Sequence, residues 1–246
     1  MSRILEGETA LVTGGGRGIG RAIALAFARA GATVAIASRS ADEVERTAGE
    51  VASLGGRALA LPTDVTSRAA VEELVQRTLD ATRRLDIVVN NAGVFVWRAF
   101  AKLEEEDWDR ILDTNLKSGY LVTRAALPAL TASGRGRVLN VASIHGSVGE
   151  ASVVAHCAAK FGLIGFTKAL ALELRGVGIT VNAVSPGATD NRSLEIDMPA
   201  RAEPLLGKLR PGDVADAALF LVSPAAASIS GAVLDVWGGT SVAIRS

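Results

Sequence analysis

One short stretch carries residue types and spacing that can do chemistry: Val154-Ala-His-Cys-Ala-Ala-Lys160 places His156 four residues before Lys160. On a helix, residues four apart share a face, so an imidazole and an ammonium would lie side by side. Taken alone, the pair is open to two readings. It is either a solvated surface pair, the ordinary fate of titratable groups on helices, or the proton-handling part of a site. A second histidine, His145, follows Ser143 by two residues in Ser143-Ile-His-Gly146. A hydroxyl, two imidazoles and an ammonium therefore fall within residues 143–160.

Another chemically capable segment lies near the amino end. Thr9-Ala-Leu-Val-Thr13 runs into Gly-Gly-Gly-Arg-Gly-Ile-Gly20 and then into an apolar helical pattern. Glycines such as Gly14, Gly18 and Gly20 allow a tight turn and close backbone approach to a pyrophosphate. The helix that starts there, through Ile19, offers free N–H groups and the positive end of its dipole to that anion. Strand, glycine turn and helix together are the context such a motif requires. The next strand ends Ala37-Ser-Arg-Ser40. A carboxylate at this place would hold the ribose 2′-hydroxyl of NAD, whereas an arginine suits a 2′-phosphate. Ser38 and Arg39 at the strand end, with Arg17 inside the glycine turn, favour NADP over NAD.

The elements that must position these residues alternate. Strand patterns fall at Thr9–Thr13, Thr33–Ala37, Arg57–Leu61, Ile87–Asn90, Arg137–Val141, Thr180–Val184 and Val233–Val236, mostly as continuous apolar runs. Such runs imply burial on both faces, as in a parallel sheet covered by helices. Helical patterns fall near Gly18–Ala30, Ala41–Leu54, Ser67–Thr82, Glu105–Ser133, Ser152–Gly176 and Gly212–Leu221. Ser40-Ala-Asp-Glu43 has the spacing of a capping box, and Gly31, Gly55 and Gly176 stand where helix stops are expected. The order predicts an α/β fold: a Rossmann-type, doubly wound parallel sheet with helices on both faces. Residues 1–246 read as a single domain, with a charged, proline-containing insert at about 188–210 as a substrate lid over the carboxyl ends of the strands.

Composition limits the function. Of 246 residues 49% are hydrophobic, and 26 basic residues balance 26 acidic ones. That balance argues against a nucleic-acid or anionic-membrane partner. A single cysteine, Cys157, excludes an internal disulfide. With neither a signal-peptide pattern nor a membrane-length apolar run, the expectation is a cytoplasmic protein. No metal site is expected.

The motifs in this order resemble those of the short-chain dehydrogenase/reductase family over nearly the whole chain. Thr13-Gly-Gly-Gly-Arg-Gly-Ile-Gly20 is similar to the family's glycine turn, and Asp64-Val65 to its adenine-contacting pair. Asn90-Asn91-Ala92-Gly93 is similar to the motif after the fourth strand, and Pro186-Gly187 to the pair before the substrate loop. Asn115, Ser143 and Lys160 match the family's active-site asparagine, serine and lysine. The closest branch is that of 3-oxoacyl thioester reductases and alcohol dehydrogenases. The resemblance implies hydride exchange between a nicotinamide and a ketone or secondary alcohol. It implies Ser143 on the substrate oxygen, Lys160 on the nicotinamide ribose, a water held by Asn115, and a homodimer or homotetramer.

The chain departs from the pattern at one catalytic position. The family carries tyrosine thirteen residues after the serine, and here that residue is His156. The only tyrosine, Tyr120, lies five residues after Asn115 and is not expected to substitute. Imidazole titrates near 6.5 against about 10 for phenol, and an adjacent lysine pushes it lower. His156 should therefore be mostly neutral near pH 7. Trp97, His145 and Glu150 are candidates to line the substrate pocket. Asn191 stands where the family places a cofactor-contacting threonine, and Thr189 is a neighbouring substitute. Trp237, where an aspartate is common, suits either a subunit contact or the core. Three functions remain open: an NADP-dependent oxidoreductase with an altered proton donor, a non-redox dehydratase or isomerase using His156 as base, and a nucleotide-binding protein whose donor has been lost.

Overall fold

The computed structural model describes residues 3–189 and 209–238. Seven strands, β1 (Thr9–Thr13), β2 (Thr33–Ser38), β3 (Arg57–Pro62), β4 (Ile87–Asn90), β5 (Arg137–Val141), β6 (Thr180–Pro186) and β7 (Val233–Val236), form one sheet. Their order is β3-β2-β1-β4-β5-β6-β7, and every neighbouring pair is parallel. The helices are α1 (Gly18–Arg29), α2 (Ala41–Ser53), α3 (Arg68–Thr82), α4 (Glu105–Leu112), α5 (Ser118–Ala132), α6 (Val154–Leu174) and α7 (Pro211–Val222).

The continuous apolar strands are explained by what covers them. Ala10, Val12, Val34, Ile36 and Val89 pack with α1, α2 and α7. Their neighbours Leu11, Ala35, Ala37 and Val88 point the other way, into a core shared with α3, α5 and α6. Alternation persists, but both faces are dry, so most positions are apolar and the polar ones are buried. Helix starts follow local chemistry. The Ser40 hydroxyl accepts from the Glu43 N–H at 3.3 Å, and the Ser67 hydroxyl from the Ala70 N–H at 3.4 Å. Glu43 turns its carboxylate toward Arg17, at 3.9 Å.

One expectation is refined and one corrected. The helical segment expected over Glu105–Ser133 runs without a break from Glu105 to Ala132, with a π turn over Asp113–Lys117 between α4 and α5. The cause is Asn115, whose side chain donates to the Ile111 carbonyl at 3.0 Å and to the Val94 carbonyl at 2.9 Å, competing for backbone groups of the helix ladder. Nor is Gly176 the stop after α6. It lies within a 3-10 turn over Arg175–Val177, and Gly178 takes the left-handed conformation at φ 74°.

A buried polar cluster seats α5 and α6 on the sheet. Asn90 on β4 donates to Thr123 on α5 at 2.9 Å and to Asn140 on β5 at 2.8 Å, and Asn140 donates to Thr167 on α6 at 2.8 Å. Thr167 is fully buried and donates onward to the Leu163 carbonyl at 2.8 Å. Thr167→Val keeps the shape and leaves the Asn140 amide without its acceptor. It should lower unfolding free energy in urea by about 1–3 kcal/mol; an unchanged midpoint would show that the cluster adds no net stability.

Candidate functional site

Parallel strands bring all their carboxyl ends to one edge, and the chain reverses its order of progression between β1 and β4. Ligands of open α/β sheets bind at that reversal. Here the loops after the two strands are bonded to one another. The Thr13 hydroxyl donates to the Val89 carbonyl at 3.1 Å and accepts from the Asn91 and Ala92 N–H groups at 3.0 and 3.1 Å. The Asn91 side chain donates to the Thr13 and Gly14 carbonyls at 3.0 and 3.1 Å.

This closeness explains the glycines. A Cβ on Gly20 would lie 2.2 Å from the Gly14 carbonyl oxygen and 2.4 Å from the Asn91 amide. Gly14 and Gly18 have φ of 62° and 54°, a region that other residues enter only with strain. Helix α1 starts at Gly18 without a side-chain cap at Arg17, so its first N–H groups face the turn's mouth. Ile19 contributes to the core beneath. Ser38 lies against the turn, since a Cβ on Gly16 would meet its hydroxyl at 3.1 Å. Arg39 is exposed beyond it and acts electrostatically on Asp64. Asp64 accepts from the Thr66 N–H at 2.9 Å and the Thr66 hydroxyl at 2.8 Å, which together hold its carboxyl below the usual range. Val65 is buried beside it. The turn's cramped backbone and uncapped helix start fit a pyrophosphate, and the cations at its rim fit further phosphate.

At the same edge, β5 and β6, α6 and the π turn assemble the second group of residues. His156 and Lys160 are not a solvated pair: both lie on the buried face of α6, 7% and 5% exposed. Lys160 reaches the sheet, its Nζ donating to the Val141 carbonyl at 2.7 Å. Ser143 follows β5, and its hydroxyl accepts from the backbone N–H of His145 at 3.2 Å. Gly146 packs against the backbone of Lys160, where a Cβ would lie 3.0 Å from the lysine carbonyl oxygen. Asn115 approaches from the π turn, so close to Gly93 that a Cβ there would sit 2.6 Å from its Oδ1. The Val94 carbonyl joins the two sides: it accepts from Asn115, and its partial negative charge favours the protonated form of the His156 ring. Asn115, His156, His145, Ser143 and Lys160 thus belong to one connected cluster.

The ring of His156 has aromatic neighbours. Phe95 meets it edge-on with centroids 4.8 Å apart, and His145 likewise at 5.6 Å. Trp97 follows Phe95 at 6.2 Å, and Glu150 places a carboxylate oxygen 3.9 Å from His145 Nε2. The structure therefore brings Trp97, His145 and Glu150 to the cluster. Phe95 and Val94 are the neighbours that sequence reasoning missed. Phe95 could have been noticed two residues after Gly93, but a backbone carbonyl leaves no signal in sequence. Tyr120 lies on the exposed side of α5. Pro186 ends β6, and Gly187 packs on Trp237, whose indole donates to the Ser185 hydroxyl at 3.2 Å. Thr189 bridges to Leu209. Asn191 and most of the expected lid lie outside the described residues.

Burial sets the protonation states. Desolvation first, then the charge of Lys160, then His145, push His156 from its ordinary 6.5 down to about 3, against the hydrogen bond to Val94 that favours the charged ring. Burial alone pushes Lys160 down to about 8. Near neutral pH the imidazole is therefore uncharged and the ammonium still mostly charged.

This chain belongs to the short-chain dehydrogenase/reductase family. The family model described as short chain dehydrogenase matches residues 8–199. The hydroxy(phenyl)methylsuccinyl-CoA dehydrogenase subunit of Thauera aromatica is 38% identical, over 97% of this chain and 98% of the relative. A 3-oxoacyl-acyl-carrier-protein reductase of a Synechocystis strain is also 38% identical, over 96% and 97%. The crystal structure of a short-chain dehydrogenase/reductase from Mycobacterium marinum superposes with a TM-score of 0.92 at 34% identity, covering 97% of both chains. The chain is an oxidoreductase of this family.

The buried histidine has a consequence for stability. The unfolded chain binds a proton at His156 below about pH 6.5 and the folded chain only below about 3, so stability is full above 6.5 and declines as pH falls toward 3. His156→Gln removes that contribution. Between pH 7 and pH 4.5 the native chain should lose on the order of 2 kcal/mol more unfolding free energy than the variant. Equal losses in urea titrations at the two pH values would contradict the burial of this ring.

Proposed function

We propose that the protein is an NADP(H)-dependent oxidoreductase that interconverts a ketone and a secondary alcohol, with His156 standing at the family's proton-donor position. The observation that carries the reading is the gathering of Asn115, Ser143, His156 and Lys160 at the sheet edge beside the glycine turn. Similarity to reductases and dehydrogenases of acyl thioesters supports the substrate class.

In this reading Gly14, Arg17, Gly18, Ile19 and Gly20 hold the pyrophosphate. Ser38 and Arg39, with Arg17, take the 2′-phosphate, and Asp64 and Val65 flank the adenine. Asn91, Ala92, Gly93, Lys160, Pro186, Gly187 and Thr189 hold the nicotinamide half. The nucleotide, when bound, gives or takes the hydride. Everything else is the chain's own work. Ser143 donates to the substrate oxygen, and Lys160 keeps a positive charge beneath the site. Asn115 fixes the Val94 carbonyl beside the ring of His156. That ring is neutral near pH 7, so it serves as a hydrogen-bonding and positioning group and seldom as a loaded acid. Its depressed basicity also weighs against the non-redox reading, in which His156 would be the base.

The reading extends to the whole molecule: one domain over 1–246, a lid at about 188–210, a cytoplasmic setting, and a homodimer or homotetramer. Exposed Tyr120 on α5 and exposed Phe161 and Leu172 on α6 support assembly, because apolar groups on long helices favour burial between subunits.

Two measurements test it. NADPH should bind at least tenfold more tightly than NADH, and Arg39→Asp should abolish or reverse the preference, because a carboxylate repels the 2′-phosphate that an arginine holds. Equal affinities in fluorescence titrations would remove the NADP assignment. His156→Tyr should raise NADPH-dependent ketone reduction tenfold or more, since a positioned acid contributes on the order of 10²–10⁴ in rate. Loss of a native activity in that variant would show that histidine serves another reaction.

A further inference from the structure

The two histidines share the cluster but not the same surroundings. His156 is enclosed at 7% exposure, with Phe95 on its edge and Lys160 one helical turn away. Its Nδ1 is buried with no hydrogen-bond partner. His145 stands at 85° to it, and its side chain is 19% exposed. It faces a carboxylate, with Glu150 Oε2 3.9 Å from its Nε2. Its backbone N–H is bonded to the Ser143 hydroxyl, which places the two residues on one turn after β5, and its ring lies 5.6 Å from that of His156. One ring has an ammonium and an aromatic wall; the other has a carboxylate and access to water.

We propose that His145, oriented and charge-stabilised by Glu150, is the proton donor of this site in place of the residue at position 156. The inference rests on the ketone-reductase reading above and adds a catalytic residue to it. A carboxylate beside an imidazole favours the imidazolium and fixes the ring's orientation. The groups facing His145 divide in their effect. Glu150 from the same loop favours its charge, and the ammonium of Lys160 on α6 acts against it. His156, also on α6, is uncharged near neutrality and adds no repulsion of its own. From residues 94–97, the ring of Phe95 stacks on that of His145 with centroids 6.3 Å apart.

The step balances simply. With the carbonyl oxygen bound at Ser143, an N–H bond of the His145 imidazolium breaks and its electron pair stays on nitrogen. An O–H bond forms on the substrate oxygen, whose carbon receives the hydride that the nucleotide supplies. Neutral His145 then recovers a proton from water at its exposed side. In alcohol oxidation the same nitrogen accepts the hydroxyl proton. His156 is a positioning residue here, holding the edge of His145 from α6.

The chain has two histidines, so a histidine-ring NMR titration resolves both, with His145→Asn assigning the signals. Between pH 8 and pH 5 the His145 signal should pass through a transition while that of His156 stays still. Glu150→Gln should move the His145 midpoint down by roughly half a pH unit or more, and the pH profile of ketone reduction should move with it. His145→Asn should cut kcat about 100-fold and leave NADPH affinity unchanged. A titrating His156, or a His145→Asn variant that reduces ketones at the native rate, would overturn the proposal and leave the reductase reading intact. Failure of the native protein to reduce any ketone would instead remove the reductase reading. The titration would then decide by itself which ring carries the exchangeable proton.

Discussion

Everything in this molecule depends on strands that run parallel and are dry on both sides. A parallel sheet needs a crossover after each strand, so helices cover both faces and every strand's carboxyl end points to one edge. Where the order of strands reverses, between β1 and β4, two loops must part or bond. Here they bond through Thr13 and Asn91. That contact keeps the glycine turn within reach of the loop carrying Val94 and Phe95, and that loop holds one side of the buried imidazole. Nucleotide-binding geometry and proton chemistry are thus connected through a few hydrogen bonds at the reversal.

Burial then decides which groups can carry charge. Lys160 is anchored to the sheet by the Val141 carbonyl and stays mostly charged at neutrality even though burial lowers it to about 8. A cation in such a place supports a phenol, because it stabilises the phenolate. It has the opposite effect on an imidazole, whose protonated form it repels. Replacing tyrosine by histidine therefore changes more than the reach of the side chain: the same lysine that helps one group suppresses the charge of the other. Glu150 beside His145 supplies the favourable partner that His156 lacks.

The strand patterns were legible almost to the residue, because a continuous apolar run has few alternatives when helical patterns separate such runs. Thr9–Thr13, Ile87–Asn90, Arg137–Val141 and Val233–Val236 were all predicted with the bounds they have. The long helical pattern from Glu105 was not resolved into its parts. Its apolar periodicity continues through the π turn, and the extra residue there goes with a contact between Asn115 and Val94, residues apart in the chain. Gly176 has the residue type of a stop, while the left-handed position falls to Gly178, also a glycine.

The sequence by itself determined the order of elements, the parallel sheet, the glycine turn at the first helix and the spacing that brings a hydroxyl, two imidazoles and an ammonium into one segment. Those follow from local periodicity and from residue types that few other conformations tolerate. Only the tertiary structure decided that His156 and Lys160 are buried, that Phe95 and the Val94 carbonyl enclose one histidine, and that Glu150 meets the other. Proton affinity depends on what surrounds a group in space, and the neighbours that set it here come from separate loops, strands and helices.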